Sequence, residues 1–172
     1  LGLVHRLDRP VGGVMVYAKT SKAAARLSEQ IRQKQFSKKY LVIVDGKMEQ
    51  KQGILEDYLW KNERTNTSKV VEEGTKNAKY AKLKYEVLKY VPETNLSVLK
   101  ITLETGRHHQ IRVQLSHAGH SIYGDQKYGS RGKGKQIALW AYELSFIHPI
   151  TKEKLNFTDM PETIGTWSNL KS

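Results

Sequence analysis

The chain has 172 residues, with 29 Lys and Arg against 17 Asp and Glu, and a formal net charge of +12 at pH 7. With zero cysteines it has no disulfide framework, thiolate nucleophile or Cys-based metal site, which suits a reducing, cytoplasmic setting. The length fits one domain, no apolar run approaches the roughly 18 residues that span a bilayer, and the first residues lack a secretory pattern.

Gly13 to Lys19 (GVMVYAK) reads as a short β-rich strand running into a helix. The next segment, SKAAARLSEQIRQKQ, has good helix formers, an N-cap at Thr20 or Ser21, and Ala24, Leu27 and Ile31 at helical spacing on one face. Lys22, Arg26, Glu29 and Arg32 fall opposite. Lys19 to Lys39 holds seven basic residues and one acid, Glu29. Lys39 to Val44 is a nearly continuous apolar strand closed by Asp45-Gly46, and Gly53 to Trp60 is a second strand. Asn62 to Asn77 is polar and reads as a loop or weak hairpin. Ala78 to Val91 alternates, with Ala81, Leu83, Tyr85 and Val87 on one face. It pairs with Leu96 to Leu103 across a turn at Pro92 to Asn95. After Thr105-Gly106 the period becomes helical through Ile111, Leu115 and Ala118, with Gly119 placed as a C-cap. Thr105 to Lys135, which includes the Gly-rich loop Gly129 to Gly134, holds six basic residues and one acid, Asp125. Ala138 to Phe146 then alternates, with Trp140, Tyr142, Leu144 and Phe146 on one face, before His148-Pro149. These elements predict an α+β domain over residues 1–172, a mixed, mostly antiparallel sheet flanked by helices and loops.

The charge is positive in both halves, 18 basic against 10 acidic residues in 1–86 and 11 against 7 in 87–172. A charge run alone is equally a solvated face. Two dense clusters nonetheless favour a polyanion, because neutralising phosphates releases counterions.

Two polar constellations carry candidate chemistry. In His5-Arg6-Leu7-Asp8-Arg9-Pro10, followed by Gly12-Gly13, one carboxylate sits between two guanidinium groups on a tightly turned backbone. Adjacent positive charge favours the ionised carboxylate that a base or nucleophile needs. A structural salt-bridge knot is the competing reading. The second constellation, Thr105 to Arg112 (TGRHHQIR), opens a helix, and Arg107, His108 and His109 there suit phosphate or carboxylate. Arg112 lies near the Ile111 and Leu115 face, so it points inward and needs a carboxylate partner, for which Asp8 is the candidate. An ordinary helix-capping segment is the competing reading here. No metal site is expected from the six His, whose spacings lack an attendant Cys or Glu. No G-x-S-x-G, Walker or dinucleotide fingerprint occurs.

HRLDRPVGGVMVYAKTSKAA, KKYLVIVDG, TGRHHQIRVQLSHAGHSIYGDQKYG and ALWAYELSFIHPITKEKL, in that order, resemble the RluA family of RNA pseudouridine synthases. The resemblance covers most of residues 3–161 and implies the synthase catalytic fold. It also implies an isomerase that detaches uracil from its ribose within ribosomal or transfer RNA, rotates it and rejoins it through carbon 5, with no cofactor or metal. Asp8 matches the essential aspartate, which attacks the anomeric carbon, or in another account the uracil ring, or abstracts a ribose proton. Tyr40 matches the tyrosine that stacks on the flipped base and acts in proton removal from carbon 5. Arg112 matches the basic partner of the aspartate. Arg6, Arg9, Lys39, Arg107, His108, His109 and Gln110 are the residues expected to hold the RNA. The chain reads Val11-Gly12-Gly13 where the family more often has T-S-G, and Leu139-Trp140-Ala141 where it has L-H-A. The partner implied is RNA, and the working unit a monomer. A charged motif this close to Leu1 predicts that at least one strand packing against it precedes the segment, because termini fray unless tied down. The segment holds no S4-type RNA-binding module. An RNA-binding module without catalysis, or an inactive fragment of the same fold, is the alternative reading.

Overall fold

In the computed structural model, residues 1–129 and 131–170 are described. The elements in chain order are β1 (Gly2–Leu3), β2 (Gly12–Gly13), β3 (Tyr17–Ala18), α1 (Ser21–Arg32), β4 (Ser37–Asp45), β5 (Gln52–Asn62) and β6 (Thr67–Val71). After them come β7 (Lys79–Val91), β8 (Leu96–Leu103), α2 (Gln110–His117), β9 (Leu139–Ile147), β10 (Lys154–Thr158) and a 3-10 turn at Gly165–Leu170.

The longest apolar run becomes the spine. β4 is buried continuously from Tyr40 to Val44, as a strand covered on both faces requires. The main sheet runs β10-β9-β4-β8-β7-β5-β6, and β2 joins β9 in parallel register through Gly12↔Trp140 and Gly13↔Ala141. All the other pairings are antiparallel, including the β7–β8 hairpin and β4 between β8 and β9. The fold is therefore α+β with a mostly antiparallel sheet.

α1 begins where the side-chain chemistry dictates. The Thr20 hydroxyl accepts the Ala23 N–H at 3.1 Å. Its apolar face packs Leu27 with Ala18, Phe36, Leu144 and Phe146 into a satellite core. Gln30 donates to the Ile147 carbonyl at 2.6 Å and accepts the Ile147 N–H at 2.8 Å, which joins helix to sheet. α2 is buried along Gln110–Leu115 and packs Ile111 and Leu115 into the main core. It ends at Gly119, whose φ of +88° is the left-handed C-terminal position that favours glycine.

Three expectations change. The strand expected over Gly13–Lys19 is split into β2 and β3, because the Val16 N–H is taken by the His5 imidazole at 3.1 Å instead of a neighbouring strand. The single face expected for Trp140, Tyr142, Leu144 and Phe146 is interrupted. Tyr40 faces Ala141 while Lys39 faces Glu143, so Tyr142 is the extra residue of a bulge. Leu139 and Ala141 then enter the main core, and Leu144 and Phe146 the satellite one. Of the two readings for the polar stretch 62–77, loop or weak hairpin, the hairpin holds, with β6 paired antiparallel to β5. Beyond His148-Pro149 the chain adds β10 and the 3-10 turn, which the pattern did not anticipate. In the Gly129–Gly134 loop, Ser130 lies outside the described residues.

Candidate active site

The HRLD segment crosses the mouth of a cleft of about 1530 Å³. Its backbone turns tightly after Asp8, whose carbonyl accepts the Val11 N–H at 2.8 Å. Val11 is buried in the main core, and Gly12 and Gly13 run against β9. Only glycine fits at Gly13. Its φ is +135°, and a Cβ there would lie 2.3 Å from the Ala141 carbonyl oxygen. The loop is thus anchored just after Asp8, whose side chain remains 28% exposed.

From the opposite wall α2 delivers Arg112, buried and directed inward as its spacing predicts. Its Nη1 stands 3.5 Å from the Asp8 carboxylate. The main partner of Arg112 is a different residue. Nε and Nη2 donate to Asp125 at 3.0 and 2.8 Å, and the Asp125 side chain is fully buried. Burial alone would raise the Asp125 carboxyl, but hydrogen bonds and charge from Arg112, with the Tyr128 and Lys127 N–H groups, hold it below the usual carboxylate range. The guanidinium also lies over the Tyr128 ring, 5.2 Å from its centroid. Asp125 escaped the sequence reading as a site residue, although it is the one acid among six bases in Thr105 to Lys135.

Tyr40 is 7% exposed and lies in the core behind the cleft instead of on its wall. Burial, and secondarily the Asp8 charge, push its phenol well above the ordinary value, so it stays neutral. Arg6, Arg9, Arg107, His108 and His109 all line the cleft. Arg107 is steadied by donating to the Tyr80 carbonyl at 2.7 Å. Two expected RNA contacts do not reach the cleft. Lys39 pairs with Glu143 of β9 at 2.9 Å, and Gln110 is buried, its amide shared among Thr105, the Arg107 N–H and the Lys82 carbonyl. Strand alternation explains the first: Lys38 and Tyr40 share one side of β4, and Lys39 projects to the other. Lys38 lines the cleft, has no carboxylate partner among the described residues, and burial lowers its amine from the ordinary value.

Burial holds the cleft histidines His5, His108 and His109 toward the neutral, hydrogen-bonding form. Burial, then the Arg112 charge, lower His109 to about 3, and burial, then Lys38, lower His5 to about 4. His109 adopts a left-handed backbone at the start of α2, and its Nδ1 meets the Tyr128 hydroxyl at 2.6 Å. His108 stacks on His109 and meets the Ser68 hydroxyl at 2.8 Å, tying β6 to the site. Positive charge in the cleft therefore comes from Lys and Arg. Among the described residues, ten of them line it against two acids, Asp8 and Glu104. Glu104 is engaged by Lys82 and Lys84 at 3.3 and 3.0 Å. Asp8 is thus one of two carboxylates in a predominantly cationic cleft. No group of three or more His, Asp or Glu suited to a metal occurs among the described residues, and no described helix is long and apolar enough to cross a membrane.

Comparison with known proteins bears on this geometry. The family model described as RNA pseudouridylate synthase matches residues 1–117. The tRNA pseudouridine synthase C of Haemophilus influenzae is 34% identical over 173 residues, covering 90% of this chain and 72% of that protein. The ribosomal large subunit pseudouridine synthase D of Zymomonas mobilis is 35% identical over 172 residues, covering 94% of this chain but 53% of that protein. The chain spans about half the length of several such relatives. In fold it is similar to human RNA pseudouridylate synthase domain containing 1, with TM-score 0.79 and 23% identity over 95% of this chain and 70% of that one. Human RNA pseudouridylate synthase domain containing 4 also has TM-score 0.79, at 24% identity over 94% of this chain and 72% of that one.

Proposed function

The chain belongs to the RNA pseudouridylate synthase family, and from that premise we propose that it isomerises uridine to pseudouridine within ribosomal or transfer RNA. The reaction breaks the bond from ribose C1′ to uracil N1 and makes one from C1′ to C5. The C5 proton leaves and N1 regains one, so the change is redox-neutral. Asp8 is the catalytic carboxylate. Bonding to the sugar, bonding to the base and taking a ribose proton all need its ionised form. The observation that carries the reading is the Asp8 carboxylate 3.5 Å from a buried Arg112 at the mouth of a cleft lined mainly by cations.

Reaching the sugar of a stacked uridine requires flipping the nucleotide out, at a cost of a few kcal/mol. The Lys and Arg side chains of the cleft offset this by holding the backbone. Arg112 steadies Asp8, and Tyr40, set behind the cleft wall and within reach of the Asp8 charge, backs the site as a neutral phenol instead of presenting a free ring face. The same proposal takes RNA as the partner, a monomer as the working unit, the cytoplasm as the location and no cofactor. The test is to delete the gene and map pseudouridine across total RNA, then add back the wild-type and Asp8→Asn proteins. Sites lost on deletion and restored only by wild type support the assignment. An unchanged map, or restoration by Asp8→Asn, refutes it.

A further inference from the structure

The guanidinium of Arg112 is divided unequally between two carboxylates. Asp125 occupies the edge formed by Nε and Nη2, in the bidentate fork that guanidinium and carboxylate geometry favours. Asp125 is further held by the N–H groups of Lys127 and Tyr128, which reach Oδ1 at 3.0 and 3.2 Å. Asp8 is left with Nη1 at 3.5 Å, beyond a good hydrogen bond. While Asp125 holds the fork, the guanidinium does not turn toward Asp8. The Tyr128 ring lies against it, and the Tyr128 hydroxyl is fixed by the Ser68 N–H at 2.9 Å and by His109. One carboxylate is therefore saturated and the other nearly unengaged.

We propose that Asp125 is a positioning residue that takes up the charge and the fork of Arg112, so that Asp8 is aimed by one long contact and remains free to react. Without Asp125, Arg112 would close on Asp8 as a strong bidentate pair and blunt its nucleophilicity. This inference rests on the reading of Asp8 as the catalytic carboxylate. The groups that sense the Asp8 charge are Tyr40 on β4, His108 before α2, Arg112 on α2 and Tyr128 in the following loop. His109 also faces Arg112. All are common to the variants below, so differences between variants isolate Asp125.

The probe is total RNA labelled with [5-³H]uridine from a cell lacking the gene, since isomerisation releases the tritium at carbon 5. Asp125→Asn is expected to lower the rate at saturating RNA at least about tenfold while RNA affinity changes less than about twofold. The acid limb of its rate profile is expected to move down by about half a pH unit or more, because Asp8 then faces Arg112 without a competing anion. Asp125→Glu keeps the charge. It is expected to stay within about fivefold of wild type with its acid limb in place, and it keeps the test open if the asparagine variant does not fold. A folded asparagine variant at the wild-type rate, or slow with an unmoved limb, overturns the proposal. So does a folded glutamate variant with a displaced limb. Wild-type protein that releases no tritium would instead overturn the assignment of pseudouridine synthesis.

Discussion

Gly12→Ala tests how the Asp8 loop is seated. A Cβ at position 12 would lie 2.5 Å from Cζ3 and 2.9 Å from Cε3 of Trp140, closer than carbon atoms pack. The indole cannot swing aside freely, because its Nε1 donates to the Asp159 carbonyl at 2.7 Å. Either the strand pairing Gly12↔Trp140 opens or the indole gives up that bond. Overpacking of this kind costs about 1 to 3 kcal/mol, and losing the hydrogen bond about 1 kcal/mol more. A loss of about 2 to 4 kcal/mol is expected, which at a urea m-value of about 2 kcal/mol/M lowers the midpoint by roughly 1 to 2 M. Trp140→Leu removes the obstructing ring. The double variant should therefore recover part of the loss, with a coupling of about 1 to 2 kcal/mol in a double-mutant cycle. Gly12 lies four residues after Asp8, so turnover should fall with the first substitution and return partly with the second. Strictly additive stabilities, or a Gly12→Ala midpoint equal to wild type, would refute the claim that this contact seats the loop.

Asp8→Asn is expected to reduce turnover by at least about a thousandfold with RNA affinity within about twofold, and measurable multiple turnover would sink the catalytic assignment. Lys38→Met should reduce the slope of log affinity against log salt by about 0.7 to 0.9, while Lys39→Met should leave it unchanged; equal effects would mean that the side of β4 facing the RNA is misidentified. Folding stability should fall as pH drops below about 6.5. His5 and His109 titrate near 4 and near 3 in the fold but near 6.5 when unfolded, so between these values the unfolded chain binds more protons. The loss between pH 6.5 and 5 is on the order of 3 kcal/mol by urea titration, and a flat profile there would contradict the burial of these imidazoles.

Local chemistry written into the chain was legible where it acts over a few residues. The Thr20 cap, the apolar run Tyr40 to Val44, the β7–β8 turn and the Gly119 terminator each follow from steric or hydrogen-bonding rules that operate along the backbone. The inward direction of Arg112 was legible for the same reason, since its place on α2 sets it beside Ile111. Strand alternation also carried more than was taken from it, because it separates Lys38 from Lys39.

What pairs with what across the fold was decided elsewhere. Asp8 and Asp125 are both acids amid positive charge, and nothing in the linear order says which one receives the fork of Arg112. That choice depends on the buried turn after Gly124 and on Tyr128 beneath the guanidinium. β6 and β10 hold their places by ladders to β5 and β9 more than by their own polar composition. The Tyr142 bulge appears only in the pairing of β9 with β4. The charge of +12 and the motifs by themselves pointed to a polyanion as partner and to a carboxylate in an HRLD turn. Only the tertiary structure decided that a second, buried carboxylate neutralises the arginine, because burial makes an unpaired guanidinium too costly to leave to Asp8 alone.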